Sequence, residues 1–257
     1  MKRVVVLADF HCGHVVGLTP PQHNERSERT KASAAVRSVY WDWFAGELKS
    51  LGPIDLLIAN GDLIDGKGEK SGGTEQLTAD REVQAEMAAD VIKFCKPRNV
   101  TITYGTSYHT GRDEDWEKVV ADEVGARKIG SHDYIEIAGL VFDTKHHIGG
   151  SQIPHGRYTA IARERLWNQL WAERGDYPKA DVIIRSHVHY FAFAGGPGWL
   201  GIVTPALQGA GSKYGTRIPS GVVDFGFLSF EVRSREDYQW RVHLLEPKSM
   251  SQAAVRI

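Results

Sequence analysis

Ile54-Asp55-Leu56-Leu57-Ile58-Ala59-Asn60-Gly61-Asp62-Leu63-Ile64-Asp65 decides the fold. Its nearly continuous apolar run has strand length and is cut off by Asn60-Gly61, which reads as a central parallel strand covered on both faces. Two carboxylates, Asp62 and Asp65, follow its C-terminal end. In open α/β sheets ligands bind at that end, because crossover helices occupy the faces and leave a crevice at the strand tips. Asp62 is therefore placed for chemistry.

The same arrangement recurs on either side of this stretch. Lys2 to Ala8 runs into Asp9-Phe10-His11, and Val100 to Tyr104 into Gly105-Thr106-Ser107-Tyr108-His109. Leu140 to Lys145 ends in His146-His147, and Asp181 to Arg185 ends in Ser186-His187-Val188-His189. Five expected strands thus each deliver Asp or His at the same end. Imidazole and carboxylate together suit Mn, Fe, Zn or Ni, whereas a chain with only Cys12 and Cys95 builds neither a zinc finger nor an iron–sulfur cluster.

Length and composition bound the rest. At 257 residues and 42% hydrophobic the chain can bury a full core, and one α/β domain over 1–257 is the simplest reading, with no repeat, linker or low-complexity tract. With 31 basic against 32 acidic residues, no global field recruits nucleic acid or an anionic membrane. No apolar run reaches spanning length, the N-terminus enters a strand directly, and the two cysteines form no framework. A soluble, cytoplasmic protein is expected, with its oligomeric state left open.

Between the strands, helical spacing predicts helices from about Ser33 to Leu51, from Thr78 towards Pro97, from Asp113 to Val124 and a fourth presenting Ile161, Leu166, Trp167, Leu170 and Trp171. Acids Asp113, Glu114 and Asp115 suit the dipole at a helix start. Tyr134 to Ala138 and Leu140 to Lys145 read as strands joined at Gly139, opening a second sheet or a hairpin. Aromatic and β-branched segments after His189 read as antiparallel strands. Cys12 to Thr30 has no period and is expected as a loop at the rim of the site, with His14 and His23 solvated. Gly66 to Gly73 is glycine-rich but lacks the Gly-Lys-Ser/Thr ending of a P-loop.

The order of these motifs resembles the calcineurin-like metallophosphoesterase superfamily, whose pattern is Asp-x-His, Gly-Asp-x-x-Asp, Gly-Asn-His, a lone His, then Gly-His-x-His. The resemblance runs from position 9 to 189, and the layout of its third motif is similar to that of phage and prophage members. It implies a four-layer αββα sandwich of two mixed β-sheets flanked by helices, the metallo-dependent phosphatase fold. It also implies a dinuclear phosphoesterase that hydrolyses a phosphomonoester or phosphodiester by metal-activated hydroxide. Two divalent ions roughly 3.5 to 4 Å apart would do this work, with Mn favoured and Fe, Zn, Ni or Mg also suited to the ligands.

By the same resemblance Asp9, His11, Asp62 and His189 would hold the first ion. Asp62 would bridge to a second held by His187 and by His146 or His147. Alternation along an extended chain lets only one of that neighbouring pair ligate, and His146 is favoured. The i, i+2 spacing of His187 and His189 would aim both rings the same way in a strand. The third motif departs from the family, since Thr106 stands in place of Asn and two residues are inserted before His109. Thr106 would then supply a neutral oxygen, and His109 would protonate the leaving group. Asp65 is expected to orient a ligand or cap a turn rather than to bind metal.

Two other readings stay open. A nuclease would draw on Arg26, Arg29, Lys31, Lys67, Lys70, Arg112, Arg157, Lys213 and Arg217, all in loops expected near the crevice. A non-catalytic metal-binding scaffold or regulatory module would keep the array and lose turnover.

Overall fold

β1 (Lys2–Leu7) shows why the molecule is layered. Val4 and Val6 enter one apolar cluster with Leu56, Ile58, Phe142, Ile184 and Phe230, whereas Val5 and Leu7 enter another with Phe44, Leu57, Ala88 and Val91. A strand that alternates between two apolar clusters must be covered on both faces. The computed structural model describes residues 1–24, 31–111, 114–151, 153–210 and 222–246, without the side chains of Lys31, Ala32 and Lys70.

The remaining strands are β2 (Leu56–Asn60), β3 (Val100–Thr103), β4 (Lys128–Gly130), β5 (Asp133–Ile137), β6 (Leu140–Thr144), β7 (Val182–Arg185), β8 (Ala192–Gly196), β9 (Trp199–Val203), β10 (Gly226–Val232) and β11 (Tyr238–Leu244). They form a six-stranded sheet, β11-β10-β1-β2-β3-β4, and a five-stranded sheet, β5-β6-β7-β9-β8. In the first, β1 to β4 are parallel and β10 and β11 antiparallel. In the second, β6, β7 and β9 are parallel and β5 and β8 antiparallel. Both sheets are mixed. Their facing sides interdigitate, with Phe142 edge-on to Phe230 at 5.1 Å between ring centres, a contact that adds about 0.5–1.5 kcal/mol to the area buried.

The helices are α1 (Lys31–Leu51), α2 (Arg81–Phe94), α3 (Ser107–Thr110), α4 (Trp116–Glu123) and α5 (Gly156–Glu173). Stripes from α1, α2 and α4, including Phe44, Met87 and Val120, cover the outer face of the first sheet, and Ala160 and Ile161 of α5 cover the second. The result is the expected αββα sandwich. Asp80 caps α2 by accepting from the amides of Glu82 and Val83, and Gly125 follows α4 at φ +62°.

Four expectations are corrected. The segment from Cys12 to Pro20 is a buried extension of the sheet region and not a rim loop, with bridges Cys12 to Ile64 and His14 to Gln76. His14 is buried and accepts from the Val16 amide, and His23 pairs with Asp90, so neither is simply solvated. On α5 the buried stripe is Ala160, Ile161, Glu164 and Asn168, while Leu166, Trp167 and Leu170 are exposed. The short β4 was not anticipated. Among the described residues, no helix is long and apolar enough to cross a membrane.

A buried ion cluster joins α5 to the second sheet beside the His187 loop. Arg185, with 0% exposure, donates Nε to Glu164 at 2.8 Å and Nη1 to the Asp143 carboxylate at 2.7 Å. Removing one partner from such a pair leaves an uncompensated buried charge, at a cost of about 3–5 kcal/mol. Arg185→Ala should therefore lower the unfolding free energy by about that amount, measured by urea denaturation; a loss within error would show the cluster to be energetically neutral.

Candidate metal centre

Five of the candidate ligands sit in a backbone conformation that side chains avoid. Among the described residues seven non-glycine positions have positive φ, and five of them are Asp9, His11, Asp62, His187 and His189, at +44° to +78°. Asp and His tolerate the left-handed region better than most residues, yet each still costs about 1–2 kcal/mol. Such strain persists only where the surroundings over-determine it. Here the loops after β1 and β2 are laced together: Asp9 N–H donates to the Gly61 carbonyl at 3.0 Å, His11 N–H to Asp62 at 3.0 Å and Cys12 N–H to Leu63 at 3.1 Å.

Glycines permit the close packing beneath. At Gly61, φ +82°, an added Cβ would lie 2.6 Å from His146 Nδ1 and 2.7 Å from the Gly105 Cα. At Gly105 it would lie 2.2 Å from Asp62 Oδ1. The loops after β2 and β3 can meet only without side chains at these points.

Among the described residues four sets of donor atoms each fall within 4.8 Å of one another: three at this site, Asp9, His11 and His189; His11, Asp62 and His109; Asp62, His146 and His187; and a fourth, His23, Glu86 and Asp90, sharing no residue with them. In the first set His11 Nε2 lies 3.2 Å from His189 Nε2, and His189 Nε2 lies 3.2 Å from Asp9 Oδ1. In the third, His146 Nε2 lies 3.0 Å from Asp62 Oδ2 and His187 Nδ1 lies 3.9 Å from it. His146 Nε2 also stands 3.9 Å from Asp9 Oδ1, which joins the sets. The donors fit a cation by two observations. Asp9 Oδ1 is buried without a hydrogen-bond partner although three imidazole nitrogens lie within 4 Å of it, the His189 contact lacking hydrogen-bond alignment. Facing imidazole nitrogens and ionised carboxylates are also the donor types of Mn, Fe, Zn and Ni sites.

Ring orientation is set from behind. His11 Nδ1–H donates to Asp65 Oδ1 at 3.2 Å, and His146 Nδ1–H to the Asn60 carbonyl at 2.6 Å, which leaves both Nε2 atoms facing the site. Gln76 in turn donates to Asp65 Oδ2 at 2.7 Å. Burial and the neighbouring His109 depress the His11 imidazole to about 4, so it is a neutral lone-pair donor. Burial opposes the charge on His146, but Asp62 and Asp9 outweigh it and raise that imidazole to about 10. A cation binding there displaces its proton. Burial likewise opposes ionisation of Asp9 and Asp62, yet the imidazoles of His189 and His146 hold both carboxyls below their usual range.

The inserted residues of the third motif form one helical turn, α3, which was not anticipated. His109 N–H closes on the Thr106 carbonyl at 2.9 Å, and the turn carries the ring back to 4.4 Å from His11, edge-on. His109 Nδ1–H donates to the Asp65 carbonyl at 2.8 Å. Thr106 grips Asp62 Oδ1, its amide at 2.6 Å and its hydroxyl at 3.0 Å.

The structure thus brings together Asp9, His11, Asp62, Thr106, His109, His146, His187 and His189. His147 is the exception: it is exposed and packs its ring 4.7 Å from that of His187. The His187 to His189 segment is an irregular loop and not a strand, so left-handed backbone, not alternation, sends the two rings to different donor sets.

A cleft of about 190 Å³ opens beside His109, lined by Gly66, Lys67, Glu69, Arg81, Ser107, Tyr108, Gly111 and Glu114. Of the basic residues singled out earlier, Lys67 lines this cleft and Arg157 lies over the Tyr190 ring at 4.3 Å. Arg26, Arg29, Arg112, Lys213 and Arg217, and the side chains of Lys31 and Lys70, lie outside the described residues, as does Asp113.

Sequence reasoning missed Glu117. It is fully buried in the first turn of α4, accepting from Leu63 N–H at 3.1 Å and Gly105 N–H at 2.7 Å. Burial and the nearby Asp62 charge raise its carboxyl to about 8. The available signal was helical spacing: Glu117 shares a face with Val120 and Ala121, both buried.

No family model matches the chain, and no curated protein matches it. Solved structures do. Vps29 of Entamoeba histolytica complexed with zinc is 16% identical over 95% of this chain and 99% of its own, with a TM-score of 0.47. Vps29 of Chaetomium thermophilum is 12% identical over 95% and 97%, with a TM-score of 0.47. An archaeal phosphodiesterase is 12% identical over 94% and 100%, with a TM-score of 0.49. The likeness is one of fold. The chemistry rests on the distances above.

Those distances make Asp65 the orienter of His11. Groups in that position contribute about 10- to 100-fold in metal affinity. Asp65→Ala should weaken the tighter step of Mn²⁺ binding by about that factor in calorimetry, and an unchanged isotherm would show that His11 needs no such support.

Proposed function

We propose that this chain is a calcineurin-like metallophosphoesterase that hydrolyses a phosphomonoester or phosphodiester at a dinuclear centre. The observation that carries the reading is Asp9 Oδ1, a buried carboxylate oxygen with no hydrogen bond, ringed by the imidazole nitrogens of His11, His146 and His189. A buried acceptor left without a hydrogen bond costs about 1–3 kcal/mol, and a divalent cation would remove that cost.

Asp9, His11, Asp62 and His189 would hold the first ion, and Asp62, His146, His187 and the Thr106 oxygen would hold the second. When bound, the two ions supply charge neutralisation and a hydroxide formed from water near neutral pH. The residues of the chain do the rest. Neutral His11 presents Nε2 while Asp65 keeps its proton on Nδ1. Thr106 donates its amide to Asp62 Oδ1 and its hydroxyl to both carboxylate oxygens, while Oδ2 also faces His146 Nε2 at 3.0 Å. His109, anchored through Nδ1 to the Asp65 carbonyl, delivers a proton from Nε2 to the departing alkoxide, and the adjoining cleft receives that alcohol. Mn is the favoured ion.

Hydrolysis of bis-(p-nitrophenyl) phosphate and p-nitrophenyl phosphate with added Mn²⁺ tests the reading. Wild-type protein is expected to turn over at least one, and Asp62→Asn neither, with metal binding lost in parallel. Metal binding with no turnover of any phosphate ester would favour the scaffold reading.

His109→Ala is expected to retain metal and to lower kcat by about 10²- to 10⁴-fold for alkyl esters with poor leaving groups, and far less for nitrophenyl esters. An equal loss across leaving groups would remove His109 from the acid role.

A further inference from the structure

Glu117 is a buried acid on a helix face that otherwise packs apolar residues. An aliphatic side chain would fill that place without desolvating a carboxylate. Its two oxygens are taken by two backbone amides from different loops, Leu63 N–H at 3.1 Å and Gly105 N–H at 2.7 Å. Leu63 follows Asp62, and Gly105 precedes Thr106, which grips Asp62 Oδ1 through both amide and hydroxyl. The contacts close a ring from Glu117 through the loop after β2, across Asp62 to Thr106, and back through the loop after β3.

We propose that Glu117 is a positioning residue acting chiefly on the second centre, clamping these two loops so that Asp62 Oδ2 stays turned towards His146, while Asp9, His11 and His189 of the first centre make no hydrogen bond with it. This deepens the dinuclear reading and rests on it. The loop of the first centre is held by other means, the backbone ladder of Asp9, His11 and Cys12 against residues 61–63 and the Asp65 contact to His11. Neither oxygen of Glu117 bonds to that loop. The two centres should therefore respond differently to its loss.

Glu117→Gln keeps the volume but offers one acceptor and one amide donor, so one of the two backbone N–H groups meets another donor and the clamp opens on that side. Mn²⁺ calorimetry on the full chain, with electron paramagnetic resonance of the bound ions, separates the centres. Wild type is expected to bind two Mn²⁺ with the spectrum of an exchange-coupled pair. Glu117→Gln should bind the first ion with wild-type affinity and the second about 10- to 100-fold more weakly, and show isolated Mn²⁺ at one equivalent. Its metal-free form should melt cooperatively; if it does not fold, Glu117→Asp, which keeps the carboxyl group on a shorter side chain, is expected to give the same split. Two ions bound at wild-type affinity, or both affinities falling together, would overturn the proposal and leave the dinuclear reading standing. A wild-type protein that binds no ion would overturn both.

Discussion

The burial of Asp9 and Asp62 side by side governs this structure. Both carboxylates lie below the surface at the ends of neighbouring parallel strands, each held below its usual carboxylate pKa by imidazoles against the pull of burial. Like charges this close raise one another's energy, and a low-dielectric interior sharpens the effect. The surrounding imidazoles answer part of that charge. What results, with Asp9 Oδ1 among three imidazole nitrogens and His11 facing His189, is a dense array of carboxylate and imidazole donors. Other features go with that packing: left-handed backbone at five of these residues, glycines at points of contact, and acceptors behind the rings of His11, His109 and His146.

Most of the fold was legible because the strands that carry the candidate ligands are buried on both faces and read as apolar runs. β1, β2, β3, β6 and β7 fall where such runs end in Asp or His. What escaped prediction has physical reasons. β4 contributes three residues to a sheet edge and leaves too little pattern to see. Leu166, Trp167 and Leu170 suggest a core stripe by type, but α5 buries the smaller Ala160 and Ile161 and polar Glu164 and Asn168 instead, since Glu164 must reach Arg185 and Asn168 the Ala180 amide. The stretch from Cys12 to Pro20 has no period because its backbone bonds to neighbouring loops and not to a regular ladder.

The site shows the same division. Residue types in order were enough to nominate Asp9, His11, Asp62, His146, His187 and His189, but spacing could not say how they converge. Strand alternation correctly separates buried His146 from exposed His147 at the end of β6. Applied to His187 and His189 it fails, because both residues have turned into the left-handed region and each joins a different donor set. A tight ligand cluster at strand tips requires the chain to reverse within two or three residues, and extended geometry cannot do that.

The segment from Gly105 to His109 shows how a longer loop can still bring its histidine back to the cluster. Two extra residues in an extended loop would carry His109 roughly 6–7 Å further along the chain, away from the cluster. Wound into a single turn, they advance it only about 3 Å, and the ring returns to the edge of His11 with its Nδ1 on the Asp65 carbonyl. The cost is that four residues must stay helical without the length that makes a helix self-supporting. α3 meets that cost through tertiary anchors at both ends: Thr106 bonded to Asp62 before it, and the close approach of Gly66 to His109 within it, where an added Cβ would meet the His109 carbonyl oxygen at 2.7 Å. The position of His109 is therefore set by Asp62 and the loop that follows it more than by the turn that carries it.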